Sequence, residues 1–395
     1  MSLSKSRFIE LFGSTDLSLQ KDDWVEIKNI GEVVSGSTPK TTNASYWGGE
    51  NKWITPAELS SDTYVITKTD RYLTDEGVKS CSLRKLPKDT VLLTSRAPIG
   101  KVAIAGTEMY CNQGFKNIIC NEKVRPKYLF YLLKNNVRYL EYLGRGATFK
   151  EISKSIIENV KIPLFPIQEQ DRFIEFAEQI DKSKFLLQKI LEKLELLKKS
   201  RFIEMFGSVD LDNSKFTIIK LGDAAKVGSS HRVFTNEFVD KGVPFYRGTE
   251  ISELSNGTKP SKPFYISLEH YNKISNDDTK PQIGDILMPS ICDKGQLWLV
   301  DTNLPFYYKD GRVLCISPNK NLFVPSFLHY FLKIKTISEY KKIGSGSTFA
   351  EFKIFQLKNI NVILPPKNQQ EKFSEILKKI DKSKFIYLKT KGKWA

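Results

Sequence analysis

From Gln168 to Phe206 the chain runs without a Gly or Pro, opened by Pro166 and closed by Gly207. Along this stretch apolar residues fall at Phe173, Ala177, Ile180, Leu187, Leu191 and Leu194, in steps of four and three interrupted only at Lys184. That is the spacing of a heptad seam on a single helix with ordinary start and stop residues. At 1.5 Å per residue such a helix is about 60 Å long, more than one compact domain buries. Elsewhere the pattern changes period. "TVLLTS" and "KVAIAG" flank the turn "RAPIG" and predict a hairpin, and "NQGFKNIIC" predicts a further strand. Between 126 and 143 the apolar positions Leu129, Leu132, Leu133, Val137 and Leu140 predict one helix that ends at Gly144.

The patterns occur twice. "SRFIELFGS" (6–14) returns as "SRFIEMFGS" (200–208), and "IDKSKF" (180–185) returns unchanged at 380–385. "NVKIPLFPIQEQDRF" (159–173) lines up with "NINVILPPKNQQEKF" (359–373), and "PKYLFYLL" (126–133) with "PSFLHYFL" (325–332). "GRGATFKEI" (144–152) lines up with "GSGSTFAEF" (344–352), where Thr148 with Glu151 and Thr348 with Glu351 have the spacing of a capping box at a helix start. The drift in offset falls between 15 and 150, where identity nearly vanishes. Two similar frames therefore carry two dissimilar inserts, and two long copies do not make a solenoid. The second long helix repeats Phe373, Leu377 and Ile380 but stops soon after "IDKSKF", and its missing end stands at the N-terminus. This arrangement predicts two antiparallel helices, one of them completed by the N-terminal segment.

Of the 395 residues 40% are hydrophobic and 27% charged, ordinary for a globular chain. A formal net charge of +16 and pI of about 9.3 point toward a polyanion, and duplex DNA presents one charge per roughly 1.7 Å of axis. Cysteines at 81, 111, 120, 292 and 315 form no CxxC pair and read as free thiols. Three scattered histidines make no HExxH motif, no phosphate-cradling loop is visible, and Leu364 in "LPP" lacks the amide or carboxylate that would hold a target amino group. Catalytic residues, metal and cofactor are therefore all expected to be none. No window resembles a membrane helix or secretory signal, so the expected location is cytoplasmic. Two other classes remain open on these features: a two-headed protein adaptor whose basic charge is incidental, and an enzyme with an unrecognised site in an insert.

The helix-entry run "IPLFPIQEQDRF", together with "GSTPKTTNASYWGGENKWITPAEL" (36–59) and the doubled architecture, resembles the specificity subunit of type I restriction-modification enzymes along essentially the whole chain. The resemblance implies an α+β fold with two mixed, mainly β target recognition domains joined by two long antiparallel coiled-coil helices. The parts become an N-terminal segment at 1–14, recognition domains at 15–158 and 209–358, a central helix at 159–208 and a C-terminal helix at 359–395. It also implies double-stranded DNA and two methyltransferase subunits as partners, with restriction and translocase subunits joining through them.

In the first insert, DNA contacts are expected from Ser37, Thr38, Lys40, Asn43, Tyr46 and Trp47, from Arg96 and Lys101 at the hairpin, and from Gln113 and Lys116 after it. Arg and Lys suit guanine or phosphate, Asn and Gln suit adenine. "VGSSHRVFTNEF" replaces the Gly-x-Thr-Pro block in the second insert, where the counterparts are Ser229, Ser230, His231, Arg232, Arg247, Lys294, Gln296, Lys309 and Arg312. The six heptad residues of the first helix, with Phe373, Leu377 and Ile380, are expected to pack helix on helix. Phe8, Phe12, Phe202 and Phe206, near helix ends, are alternative anchors for a methyltransferase.

Overall fold

Two units divide the chain, residues 1–188 with 389–395 and residues 189–388. The computed structural model describes residues 12–60, 63–145, 150–209, 215–275, 279–343 and 350–391, with side chains described as far as 383. Phe8, Thr148 and Thr348 lie outside them.

The first unit begins with β1 (Val25–Glu26), β2 (Gly31–Ser35), β3 (Trp47–Ile54), β4 (Val65–Ile66), β5 (Arg71–Leu73) and α1 (Asp75–Ser80). β6 (Val91–Leu93), β7 (Val102–Ala105), β8 (Tyr110–Cys111) and β9 (Lys116–Cys120) follow. One sheet has the order β2-β9-β6-β7-β4 and a smaller one the order β5-β3-β8. The predicted hairpin is present, with Val91 opposite Ile104 and Leu93 opposite Val102. Every residue of β6 and β7 is buried because the sheet has a core on each face. Val91, Leu93, Val102 and Ile104 point into one core, Leu92, Ala103 and Ala105 into the other, the period of two that a pleat imposes.

The helix predicted at 126–143 is broken into α2 (Pro126–Asn135) and α3 (Val137–Leu143). Asn136 stands at the break, where its Oδ1 accepts from Leu17 N at 2.8 Å and its Nδ2 donates to Thr15 O at 2.9 Å and Leu132 O at 2.8 Å. An amide that must satisfy three backbone groups at once takes precedence over continuing the helix. α4 (Lys154–Glu158) and β10 (Lys161–Ile162) close the unit, β10 pairing with β1. The long helix α5 (Ile167–Phe206) then runs from this unit into the next.

The second unit repeats the order. β11 (Thr217–Lys220), α6 (Leu221–Ala224), β12 (Ala225–Gly228), β13 (Phe238–Val239), β14 (Val243–Tyr246), α7 (Gly248–Ser255), β15 (Phe264–Ile266) and α8 (Leu268–Ile274) lead into β16 (Ile286–Pro289), β17 (Trp298–Leu299), β18 (Tyr307–Tyr308) and β19 (Val313–Pro318). Its sheets have the orders β12-β19-β16-β17 and β13-β15-β14-β18. α9 (Pro325–Ile343) is unbroken, and α10 (Ile354–Lys358), β20 (Asn361–Leu364) and α11 (Lys367–Lys391) follow. The last helix continues through "IDKSKF" to Lys391. Where the first unit has Asn136, α9 has Lys335, whose Nζ reaches Val209 O at 3.2 Å. The longer side chain reaches the corresponding carbonyl while the helix stays whole.

The helix-entry motif has a structural reason. Gln170 is fully buried, accepts from Arg125 N and donates to Lys123 O and Phe165 O. Gln370 does the same with Val324 N, Leu322 O and Pro365 O. Each helix start is thereby tied to the loop before α2 or α9, with every polar atom of the buried amide matched.

The seam divides between two environments. Phe173 and Ala177 are buried in the first unit's core, where Phe12 lies edge-on to Phe173 at 5.3 Å. Phe206 takes the same position on Phe373 at 5.5 Å in the second unit. Phe202 and Phe206 are each 1% exposed, so both are core residues rather than surface anchors for a partner. Within the second unit α5 and α11 run antiparallel, with Phe202 on Phe373 and Lys198 2.6 Å from Asp381. Phe373, Leu377 and Ile380 are buried there, while Ile180, Leu187, Leu191 and Leu194 are half-buried.

Candidate nucleic-acid interface

In the first unit the Gly-x-Thr-Pro loop is tied down at both ends. A Cβ on Gly36 would lie 2.0 Å from Asn112 O, so only glycine fits. Ser37 N donates to Cys111 O at 3.0 Å, and the Trp53 indole donates to Ser37 O at 3.1 Å. The Thr38 hydroxyl meets the Gln113 side chain. Asn43 caps the turn Ala44–Tyr46 through Ser45 N, so its carbonyl oxygen has a local partner. Trp47 donates to Lys40 O at 3.3 Å and meets Trp53 edge-on at 5.0 Å. Ser37, Thr38, Trp47 and Gln113 thus come together, with Lys40 exposed beside them. Tyr46 helps shape the loop through its carbonyl, which accepts from Thr74 N.

Arg71, which the sequence reading missed, joins this group. Its guanidinium carbon lies 3.6 Å from the Trp47 ring centre and 5.3 Å from that of Trp53. The available signal was a cross-strand neighbour, Trp53 opposite Arg71, and that requires the pairing of β3 with β5.

The hairpin cations fall into a separate group. Lys116 is buried and lies 3.1 Å from Glu151, with Arg96 at 3.5 Å from the same carboxylate. Lys101 donates to Pro56 O at 3.1 Å. Glu151 precedes the helix that follows, and a capping box with Thr148 lies outside the described residues. Its backbone bridges to Arg145, and the next helix is capped by Ser153 through Ile156 N. In the second unit Glu351 meets Arg312 and Lys353, and α10 begins with Gln356 accepting from Lys353 N. A Glu facing two cations is better satisfied as their counter-ion than as a helix cap.

The second unit gathers its residues around the turn 309–312. Ser229 Oγ accepts from Gly311 N and donates to Val313 O, and Ser230 donates to Tyr308 O at 2.6 Å. His231 N donates to the Tyr307 hydroxyl, and Arg232 pairs with Asp310 at 3.1 Å. Lys309 is exposed on the same turn. Gln296 is held by Asp293 and by Lys294 N, leaving the Lys294 side chain exposed. Arg247 lies over Phe264 at 4.4 Å and grips both oxygens of buried Glu250. Burial raises the Glu250 pKa, but the bonds from Arg247 outweigh it and hold the carboxyl below its usual range.

Burial pushes the thiols of Cys111, Cys120 and Cys315 up to about 12 and that of Cys292 to about 11, and all five cysteines are unpaired. Among the described residues no three His, Cys, Asp or Glu side chains gather where they could hold a metal, and no helix is long and apolar enough to cross a membrane.

Two copies of one architecture, each carrying a polar loop and exposed cations, are the outline of a two-part DNA reader. The model for the type I restriction modification DNA specificity domain matches the chain twice, over residues 21–196 and 213–393, and the chain belongs to that family of DNA sequence-recognition subunits. It is similar to the MjaIX specificity subunit of Methanocaldococcus jannaschii, 32% identical across 94% of this chain and 90% of the relative. The putative MjaX specificity subunit of the same organism is 27% identical over the same shares. Among solved structures the chain is similar to one from a type I R-M system solved for its complex assembly and conformational transition (TM-score 0.61, 18% identity, 94% of each chain). It is also similar to the type I S subunit of M. genitalium (TM-score 0.53, 16% identity, 94% of each chain). At these identities the structural likeness is one of fold.

Proposed function

We propose that each unit reads one half of a bipartite duplex target while α5 and α11 set the gap and dock two methyltransferase subunits. Restriction and translocase subunits join through these, and methyl transfer and cleavage belong to the other chains. The reading rests above all on one observation: the strand orders β2-β9-β6-β7 and β5-β3-β8 of the first unit recur as β12-β19-β16-β17 and β15-β14-β18 in the second, with the same buried glutamine ties, yet the units carry different polar side chains at corresponding loops. Ser37, Thr38, Lys40, Trp47 and Gln113 are the contacts favoured in the first unit, and Ser230, His231, Arg232, Lys309 and Arg312 in the second. Exposed Leu186, Ile190, Leu196 and Leu197 on α5 support a partner-binding role for that helix. The complex is placed in the cytoplasm, with the DNA.

Co-expression with its methyltransferase should mark host DNA at a two-part motif. Affinity of the purified complex should fall linearly on a log–log plot against salt, with a slope of about −0.9 per phosphate neutralised. Absence of any motif, or salt-independent binding, would rule the reading out. The spacing role is tested by inserting four residues near Lys193, with a matching insertion after Phe385. One added turn lengthens the helix by about 6 Å. With base pairs about 3.4 Å apart, the unspecified gap should widen by one or two positions. An active, folded variant that keeps the original gap would refute the spacing role.

A further inference from the structure

We infer that Arg71 is the residue by which the first unit reads a guanine of its half-site, an inference that rests on the DNA-recognition reading above. Arg71 is exposed, yet both its side chain and its backbone are restrained. Its side chain lies on Trp47, and its strand position is opposite Trp53, which is buried. The backbone on either side is pinned as well: Glu58 accepts from Asp70 N at 2.8 Å, and the Thr69 hydroxyl donates to Arg71 O at 2.9 Å. A guanidinium resting on an indole keeps its N–H edges free, and its planar fork matches guanine O6 and N7 in the major groove. Because the stack already restricts the side chain, little conformational freedom remains to be lost on binding.

Charge pairing separates Arg71 from other arginines of the chain. Arg84, Arg125, Arg232 and Arg247 each face a carboxylate. Among the described residues no carboxylate lies within ion-pairing distance of Arg71, whose recorded side-chain partners are two aromatic rings. The second unit shows that the shared fold does not require this cation. There the strand pairing puts Phe264 opposite Phe245, where the first unit has Arg71 opposite Trp53. The cation over the ring comes from Arg247 instead, and Glu250 already occupies its fork. A feature that differs between two copies of one fold, is open to solvent and has unmatched donors is suited to reading a sequence that differs between half-sites.

The test uses the complex of the full chain with its methyltransferase, wild type and with Arg71→Lys and Arg71→Gln, and sequences the methylated positions in host DNA. Lysine keeps the charge but not the fork, so both variants should lose about 10- to 100-fold in modification of the original motif. Both should relax the requirement for one G·C pair in one half-site and leave the other half unchanged. Thermal melting of the complex identifies a variant that fails to fold, and Arg71→Lys, which retains a stacked cation, then carries the test. An unchanged motif at full activity would overturn the inference. So would a uniform loss at all sites with the salt slope reduced by about one, which marks a phosphate contact. A wild-type complex that marks no two-part motif would bring down the recognition reading itself, and this inference with it.

Discussion

Replacing residues 15–164 with the matching stretch of another specificity subunit is expected to change one half of the methylated motif and leave the other half as it was. The cut points come from the packing. β1 pairs with β10, and Ile162 on β10 is fully buried, so a junction at 158 would divide a strand pair between donor and host. The N-terminal side must travel with the graft because Asn136 binds Thr15 O and Leu17 N, and because Gln20 exchanges hydrogen bonds with Lys161. What remains in the host is the surface on which the graft sits: Phe12, Gln170, Phe173 and Ala177. The donor must supply the loop carbonyls and N–H that Gln170 binds, and this is the pair of contacts that Gln370 repeats in the second unit. Domains with separate cores exchange with little coupling, since distant sites contribute independently. Sequencing of methylated DNA from cells carrying the chimera reads both halves at once. A folded, active chimera that altered both would contradict the assignment of one reader to each half.

Phe373→Ala is expected to destabilise the second unit by about 3–5 kcal/mol, the usual range for emptying a fully buried aromatic position. Phe373 is 0% exposed and sits among Phe202, Phe206 and Tyr330, with ring centres 5.5, 5.5 and 5.2 Å away. Those rings come from α5 and α9, so one truncation opens a cavity where three helices meet. Phe173→Ala should act similarly in the first unit, where Phe12 and Tyr128 approach to 5.3 and 5.0 Å. Phe373→Leu, which retains most of the volume, should recover much of the loss. Equilibrium denaturation in urea measures each difference. A loss below about 1 kcal/mol for Phe373→Ala would mean that the aromatic cluster can close over the gap, unlike well-packed cores.

Much of the architecture was legible in the chain because it depends on local chemistry and on repetition. The Gly- and Pro-free stretch is α5, the apolar runs flanking "RAPIG" are β6 and β7, and the doubled motifs mark two similar units. The grouping of the candidate site's continuous loop was legible too: Ser37, Thr38 and Trp47 lie together because residues 36–47 form one short segment anchored on its neighbours. What failed were inferences that needed a partner distant in sequence. Thr-x-x-Glu suggests a helix cap, yet Glu151 turns to Lys116 and Arg96, which no local pattern could place beside it. The spacing at 126–143 suggests one helix, yet Asn136 breaks it for bonds to residues about 120 positions away. Lys116 reads as a surface cation until the fold buries it, and Arg71 reads as an ordinary strand residue until β5 lies against β3. By itself the sequence determined the elements, the duplication and the family, because periodicity, caps and motifs act over a few residues. Only the tertiary structure decided which charges are matched and which stay open to a ligand, because the electrostatic environment of a side chain is set by groups that folding alone brings within reach.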